Sequence, residues 1–382
     1  MKKIIHRLFC LFLLFFFFTI PVNAQSVSQE ELYRQQYENS GAADLPDELP
    51  PETREWMDSL GISSPDWQSI INLTPEKVFE QIGTTARQQS NAPMRALLSV
   101  LAVILLCALM NGMKLSFGDR PLSGVIGMIG TLCICTVVIQ PIVSCIQNVA
   151  FVIKGAAGFL LASIPILTGI MIAGGQPISA GSYNLLMLGA GNVISVIASA
   201  FLVPLLNIFL AFSVVSAVSP AMNLGGLCDL FSKTVKWILT FCMTIFSGLL
   251  TMQTVVSSAA DGAGAKTIRF MVSAFVPVVG SALGDAIGSV QSCVKLLKSG
   301  VGAFGLLATG AIFLPAAIEC LIWLLTLTAC AAAGDIFELK EITTLLRSSM
   351  KVIQILLSII ICCLVILMIS TVMMLAMGGS VT

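Results

Sequence analysis

From Arg95 onward the chain is a succession of apolar segments separated by short polar stretches. Each segment is near the ~20 residues a helix needs to cross hydrocarbon. Residues 96–113 form the first, 122–146 the second with Pro141, and 155–173 the third with Pro165. Residues 185–219 are too long for one crossing and are interrupted by Pro204 and Asn207. Residues 237–256 and 269–300 follow. Residues 301–333 are again too long, with Pro315 and Glu319 inside them, and 352–377 close the series. Connectors are expected at 114–120, 174–182, 224–236, 257–266 and 334–351. The pattern predicts an all-α polytopic transmembrane bundle with broken or re-entrant helices.

Composition agrees with that class. The chain has 382 residues, 57% hydrophobic and 10% charged, whereas soluble domains carry about 25% charged residues. Counting both long segments twice gives about ten passes. Re-entrant half-helices lower the number, so the membrane domain at 93–382 is expected to make about 8–10. With the N-terminal head exported, that count puts Lys114, Arg120, Lys233, Lys236, Lys295, Lys298, Lys340, Arg347 and Lys351 inside.

Residues 1–24 read as a secretory signal peptide. Lys2, Lys3 and Arg7 precede an apolar run, and Val22-Asn23-Ala24 precedes Gln25, which places cleavage between Ala24 and Gln25. An uncleaved first membrane helix is the alternative. Residues 25–92 form a small exported head, helical or partly disordered. It holds twelve acids and four bases, 4 − 12 = −8, while 93–382 hold thirteen bases and eight acids, +5. The acidity argues against nucleic acid as a partner. Ser64-Pro65-Asp66 and Thr74-Pro75-Glu76 each read as a cap followed by proline at the first helical position. Leu60, Trp67, Ile70, Ile71 and Phe79 are the head's candidate core.

The one histidine is His6, inside the leader, so a processed chain has none. That removes Ser-His-Asp and Cys-His catalysis and histidine metal sites. The twelve cysteines include no Cys-x-x-Cys framework and read as small buried hydrophobes. Lys266-Thr267 lacks the glycine a phosphate loop needs before its lysine, since Ala265 stands there. No enzymatic activity, cofactor or metal is expected.

Residues 269–300 draw the eye as a site. Glycine recurs every fourth residue at Gly280, Gly284 and Gly288, behind Pro277 and around Asp285. On a helix that spacing makes one smooth face along which a second helix can approach closely. Asp285 and Glu319 are acids within apolar segments, costly unless they face protein or water. Two readings stand: a packing face with Asp285 near the membrane surface, or a pathway in which the acids, with Lys295, Lys298 or Arg269 as partners, handle ions. Gln140, Asn184, Asn192, Asn207, Gln253 and Gln291 are expected to bond between helices. Gln147, Lys154 and Gly158 recur at the spacing of Gln291, Lys298 and Gly302, a faint internal repeat.

Lys266-Thr-Ile-Arg269-Phe270, Phe275-Val-Pro277-Val-Val-Gly280, Ala282-Leu-Gly284-Asp285-Ala286 and Leu296-Leu-Lys298 with Gly300, Gly302 and Gly305 resemble the stage III sporulation protein AE family of endospore-forming bacteria. The order of leader, polar head and many membrane passes is similar too. The resemblance implies a multi-pass protein of the mother-cell (outer forespore) membrane. It would be one subunit of a secretion-like channel complex, needed for forespore development after engulfment. Its implied partners are the other proteins of the stage III sporulation A operon and, through the complex, stage II sporulation protein Q. The family supplies no catalytic residues to carry over. A stand-alone secondary transporter or permease using Asp285 and Glu319 is the alternative.

Overall fold

The computed structural model describes residues 29–117, 122–196, 203–218, 225–275 and 280–376. Among them every regular element is helical. The head comprises α1 (Gln29–Asn39), a 3-10 turn (Ala42–Glu48), α2 (Pro51–Ser59), α3 (Trp67–Ile71) and α4 (Pro75–Gln89). The bundle comprises α5 (Asn91–Phe117), α6 (Leu122–Ala173), α7 (Pro177–Val196), α8 (Val203–Val218), α9 (Gly225–Phe275), α10 (Gly280–Ile336) and α11 (Lys340–Ala376). Five stretches of these helices are long and apolar enough to cross a membrane. The protein is a multi-pass membrane protein.

The main departure from the sequence reading is continuity. Residues 122–146 and 155–173, expected as two crossings, are one helix of 52 residues, with Pro141 and Pro165 inside it. Residues 301–333 lie within one helix of 57 residues that runs through Pro315. The small-residue stretch 257–266 is helix rather than loop, and 224–236 is helical from Gly225. Proline removes one backbone donor, but neighbouring helices can absorb the freed carbonyl, and in lipid a broken helix leaves groups that nothing else satisfies. Continuity therefore wins over local propensity.

The head folds onto the bundle and shares its core. Its buried side chains are Ala42, Leu45, Leu49, Met57, Leu60 and Ile62. Of the core expected from sequence, Leu60 is buried and Ile70 is half-buried, but Ile71 and Phe79 are exposed, at 70% and 73%. Pro50 rests on Gly155 and Gly41 on Ile166, so the head covers the upper reach of α6. Gly41 has φ +71, a left-handed backbone that glycine adopts without strain. α4 starts at Pro75 behind Thr74, as expected. α3 starts at Trp67 behind Asp66, two residues later than expected, because Asp66 rather than Ser64 takes the extended cap conformation. The Asp66 carboxylate accepts a hydrogen bond from the Tyr33 hydroxyl at 3.1 Å. Burial, then the Asp66 charge, push the Tyr33 phenol well above its ordinary range.

Helix ends are closed by specific devices. α6 ends in a Schellman turn: Gln176 N–H bonds Met171 O at 3.0 Å, with Gly175 at φ +79. The α10–α11 turn is tight, with Glu338 at φ 55. Gly334 there lies against the Thr343 side chain. Three further glycines stand where helices meet closely. Gly130 lies against Cys107 of α5, Gly191 against Leu161 of α6, and Gly302 against Leu375 of α11. A side chain at any of these three would push a neighbour aside.

Candidate functional site

The bundle's central polar cluster joins α6 and α10. Glu319 is half-buried on α10, four residues after Pro315. Its Oε2 accepts a hydrogen bond from Asn148 Nδ2 at 2.6 Å, and its Oε1 accepts one from Cys145 Sγ at 3.2 Å. Both donors lie on α6 and are three residues apart, so they share a face. The carboxylate is thus met by one amide and one thiol. Charge-assisted bonds to a carboxylate are the stronger kind, and in hydrocarbon they replace the water an isolated acid would need.

Glu319 is thus placed by its neighbours, but not by those the sequence suggested. Lys298 lies 21 residues away on the same helix, about 31 Å along its axis. Lys298 is buried, at 6% exposed, and its Nζ reaches Gln176 Oε1 at 3.5 Å. Asp285 and Glu319 also lie on one helix, 34 residues or about 51 Å apart, so they do not form one site. Gly280, Gly284, Asp285 and Gly288 lie on the first turns of α10, for which the structure describes only the backbone. Pro277 and the proposed cleavage point at Ala24 and Gln25 lie outside the described residues.

A second polar contact sits at the end of the bundle beside Lys298. Asp261, 7% exposed, accepts the backbone N–H groups of Ile178 and Ser179 at 3.1 and 2.8 Å. Those are among the first amides of α7, which begins at Pro177. Asp261 thus caps another helix from a distance and adds a negative charge at its positive end. Lys298, Gln176 and Asp261 all lie at this end, whereas Lys351 bonds Asp229 at 2.6 Å towards the other. The bases expected on one face therefore do not group together.

Between the head and this end is a small cavity lined by Leu45, Ala156, Ser163, Tyr183, Val301 and Thr309, among others. Its free volume, about 20 Å³, is room for one water molecule.

Asn148, Cys145, Asp261 and Gln176 were not singled out from sequence. Asn148 sits one position after Gln147 in an apolar run, and only its partner across the bundle gives it meaning. Asp261 stands in Asp-Gly-Ala-Gly-Ala, which imitates a loop. Asn192, expected to bond between helices, bonds Leu188 O of its own helix instead. The faint repeat is not a repeat of environment: Lys154 is exposed and Lys298 buried. Of the ten cysteines whose side chains are described, eight are buried, and none of the ten is in a disulfide. Among the described residues no three His, Cys, Asp or Glu side chains gather to hold a metal ion.

A family model described as stage III sporulation protein AE matches residues 67–378. The chain is also 28% identical over 153 residues to the stage III sporulation protein AE of Bacillus subtilis (strain 168). That alignment covers 40% of this chain and 38% of that protein. No solved structure matches.

Proposed function

Because the chain belongs to the stage III sporulation protein AE family, whose role is in sporulation, we propose that it is a non-enzymatic membrane subunit of a secretion-like channel complex between mother cell and forespore. The complex serves forespore development after engulfment. The chain lies in the mother-cell membrane with its acidic head exported. Its partners are the other proteins of the stage III sporulation A operon and, through the assembly, stage II sporulation protein Q.

The observation that carries the subunit reading is the distribution of apolar surface. The described core is one cluster of buried apolar side chains, and the cavity beneath Leu45 admits about one water molecule. α9, by contrast, turns Trp237, Phe241, Leu249, Met252 and Val255 outward. An apolar cluster inside and an apolar face outside suit a subunit packed among lipid and sister proteins. The test is co-purification of tagged chain with sister operon products from sporulating cells. Recovery of the sisters supports the reading, and recovery of the chain alone overturns it.

One observation favours a second reading, a stand-alone transporter. Glu319 is an acid held inside the bundle by neutral donors, a placement that suits proton or cation coupling. Gradient-driven uptake by the purified chain in vesicles, abolished in Glu319→Gln, would establish it. No uptake without sister proteins would remove it.

A further inference from the structure

We propose that the lipid belt crosses this bundle obliquely, low on the α5 flank and high on the α9 flank. The helices then lie inclined in the membrane. Two charged bodies fix the belt from opposite corners.

The first is the head. Its net charge is −8 (four bases, twelve acids in 25–92), and it rests on Gly155 and Ile166 of α6. A carboxylate at mid-bilayer costs about 2.5–3.5 kcal/mol. Lipid therefore cannot reach this level on the head's flank. Below it, α5 has no charged residue between Arg95 and Lys114 and exposes Leu98, Leu105, Leu106 and Leu109. That is the belt on this flank.

The second body is the foot of α9 and α11. Lys351 pairs with Asp229 at 2.6 Å and Arg347 with Asp335 at 2.6 Å, all four partly exposed. Lys233 and Lys236 are exposed just above Asp229. From Trp237 to Ala260 α9 then carries no charge and turns its large apolar side chains outward. That is the belt on the second flank.

The two belts stand at different heights. Glu341 lies against Gly127 of α6, and Lys351 is ten residues further along α11, about 15 Å higher. Leu230, next to Asp229, is therefore about 16 Å above Gly127. On the other flank Cys107 of α5 lies against Gly130. Leu98 is nine residues from Cys107, and Gly130 is three beyond Gly127, which puts Leu98 about 18 Å above Gly127. Leu98 and Leu230 are thus nearly level, both exposed, at 68% and 60%. One belongs to an uncharged apolar face and the other to a charged foot. A level belt would put both in the same solvent.

The lengths leave room for it. The uncharged reach of α9, 24 residues or about 36 Å, exceeds the ~30 Å of hydrocarbon and so can span it while leaning. Such an inclination is common among membrane helices. It also gives α6 and α10 one crossing each, since on the head's flank their upper reaches are sheathed by protein. The count of passes then falls below eight.

The test uses single cysteines at Leu98, Leu230 and Met252 in the full-length chain, in membrane vesicles opened by freeze–thaw so that both faces are wet. A membrane-impermeant maleimide should label Leu230→Cys at least tenfold faster than the other two, with the parent chain as blank. A fluorophore at Leu98 or Met252 should be quenched by nitroxide-bearing lipid, and one at Leu230 should not. Equal labelling at Leu98 and Leu230, slower labelling at Leu230, or free labelling at Met252 would each overturn the oblique belt. The subunit reading does not depend on the outcome.

Discussion

α6 and α9 are near twins in length, 52 and 51 residues, and both are apolar. Their surroundings are opposite. α6 is packed against the head, α5, α7, α8, α10 and α11, and side chains such as Ile142, Ile146, Val149 and Ile153 are buried at every turn. α9 buries little, chiefly Leu250, Ser257 and Asp261. Apolarity alone therefore does not say whether a membrane helix is core or rim. What differs is the punctuation. On α6 Gly127, Gly130 and Gly155 meet side chains of other elements, while Gly158 and Gly169 do not; on α9 Gly248 and Gly262 meet nothing within 4 Å.

This contrast predicts a large asymmetry between matched substitutions. Gly302→Leu in α10 must displace Leu375 of α11 and should destabilise by about 1–3 kcal/mol, as overpacking does. Gly248→Leu in α9, facing open space, should be neutral or stabilise by up to about 1 kcal/mol. Thermal denaturation in detergent separates the two, and equal losses would erase the distinction between core and rim.

The polar cluster sharpens it next. Asn148→Leu leaves Glu319 with its thiol donor alone and should cost about 1–2 kcal/mol, as interhelical bonds in membranes do. Glu319→Gln, which keeps an acceptor for Asn148, should cost less. The reverse order would mean the charge itself, not the hydrogen bonds, holds α6 to α10.

Asp261 is the point at which rim helix α9 does grip the core. Asp261→Ala should cost about 0.5–2 kcal/mol. It should also speed hydrogen exchange at the Ile178 and Ser179 amides while leaving the centre of α7 unchanged.

The smallest effect concerns the head. The Tyr33 and Tyr37 phenols are raised by burial and by acids around them, Asp66 foremost. Below pH 10, the ordinary tyrosine value, both folded and unfolded forms keep the proton, and the stabilisation is whole. Above it the unfolded chain ionises first, so the head should loosen as pH rises past 10. Limited proteolysis between 29 and 90 should follow that course, while the bundle resists.

Much of this architecture was legible in the residues. Segment lengths gave the membrane bundle, but the acidic composition of 25–92 did not show that side chains such as Leu45 and Met57 enter the bundle's own core. The helix joins were not legible. Pro141, Pro165 and Pro315 looked like ends, as did the glycines near Asp261, because in water each costs helix stability. Inside a bundle the alternative is an unsatisfied backbone, which costs more. The site was half legible. Glu319 stood out as an acid in an apolar run, but its partners Asn148 and Cys145 are over 170 positions away. No local pattern joins them.

The continuity of α6 is the claim on which the rest depends, and a distance across it is the direct test. Nitroxide labels at Met128 and Ile172, both exposed, are 44 residues apart. On one helix pulsed electron resonance should report about 66 Å. A distance below about 30 Å would mean that the segment doubles back as two crossings, and the account of the fold would be wrong.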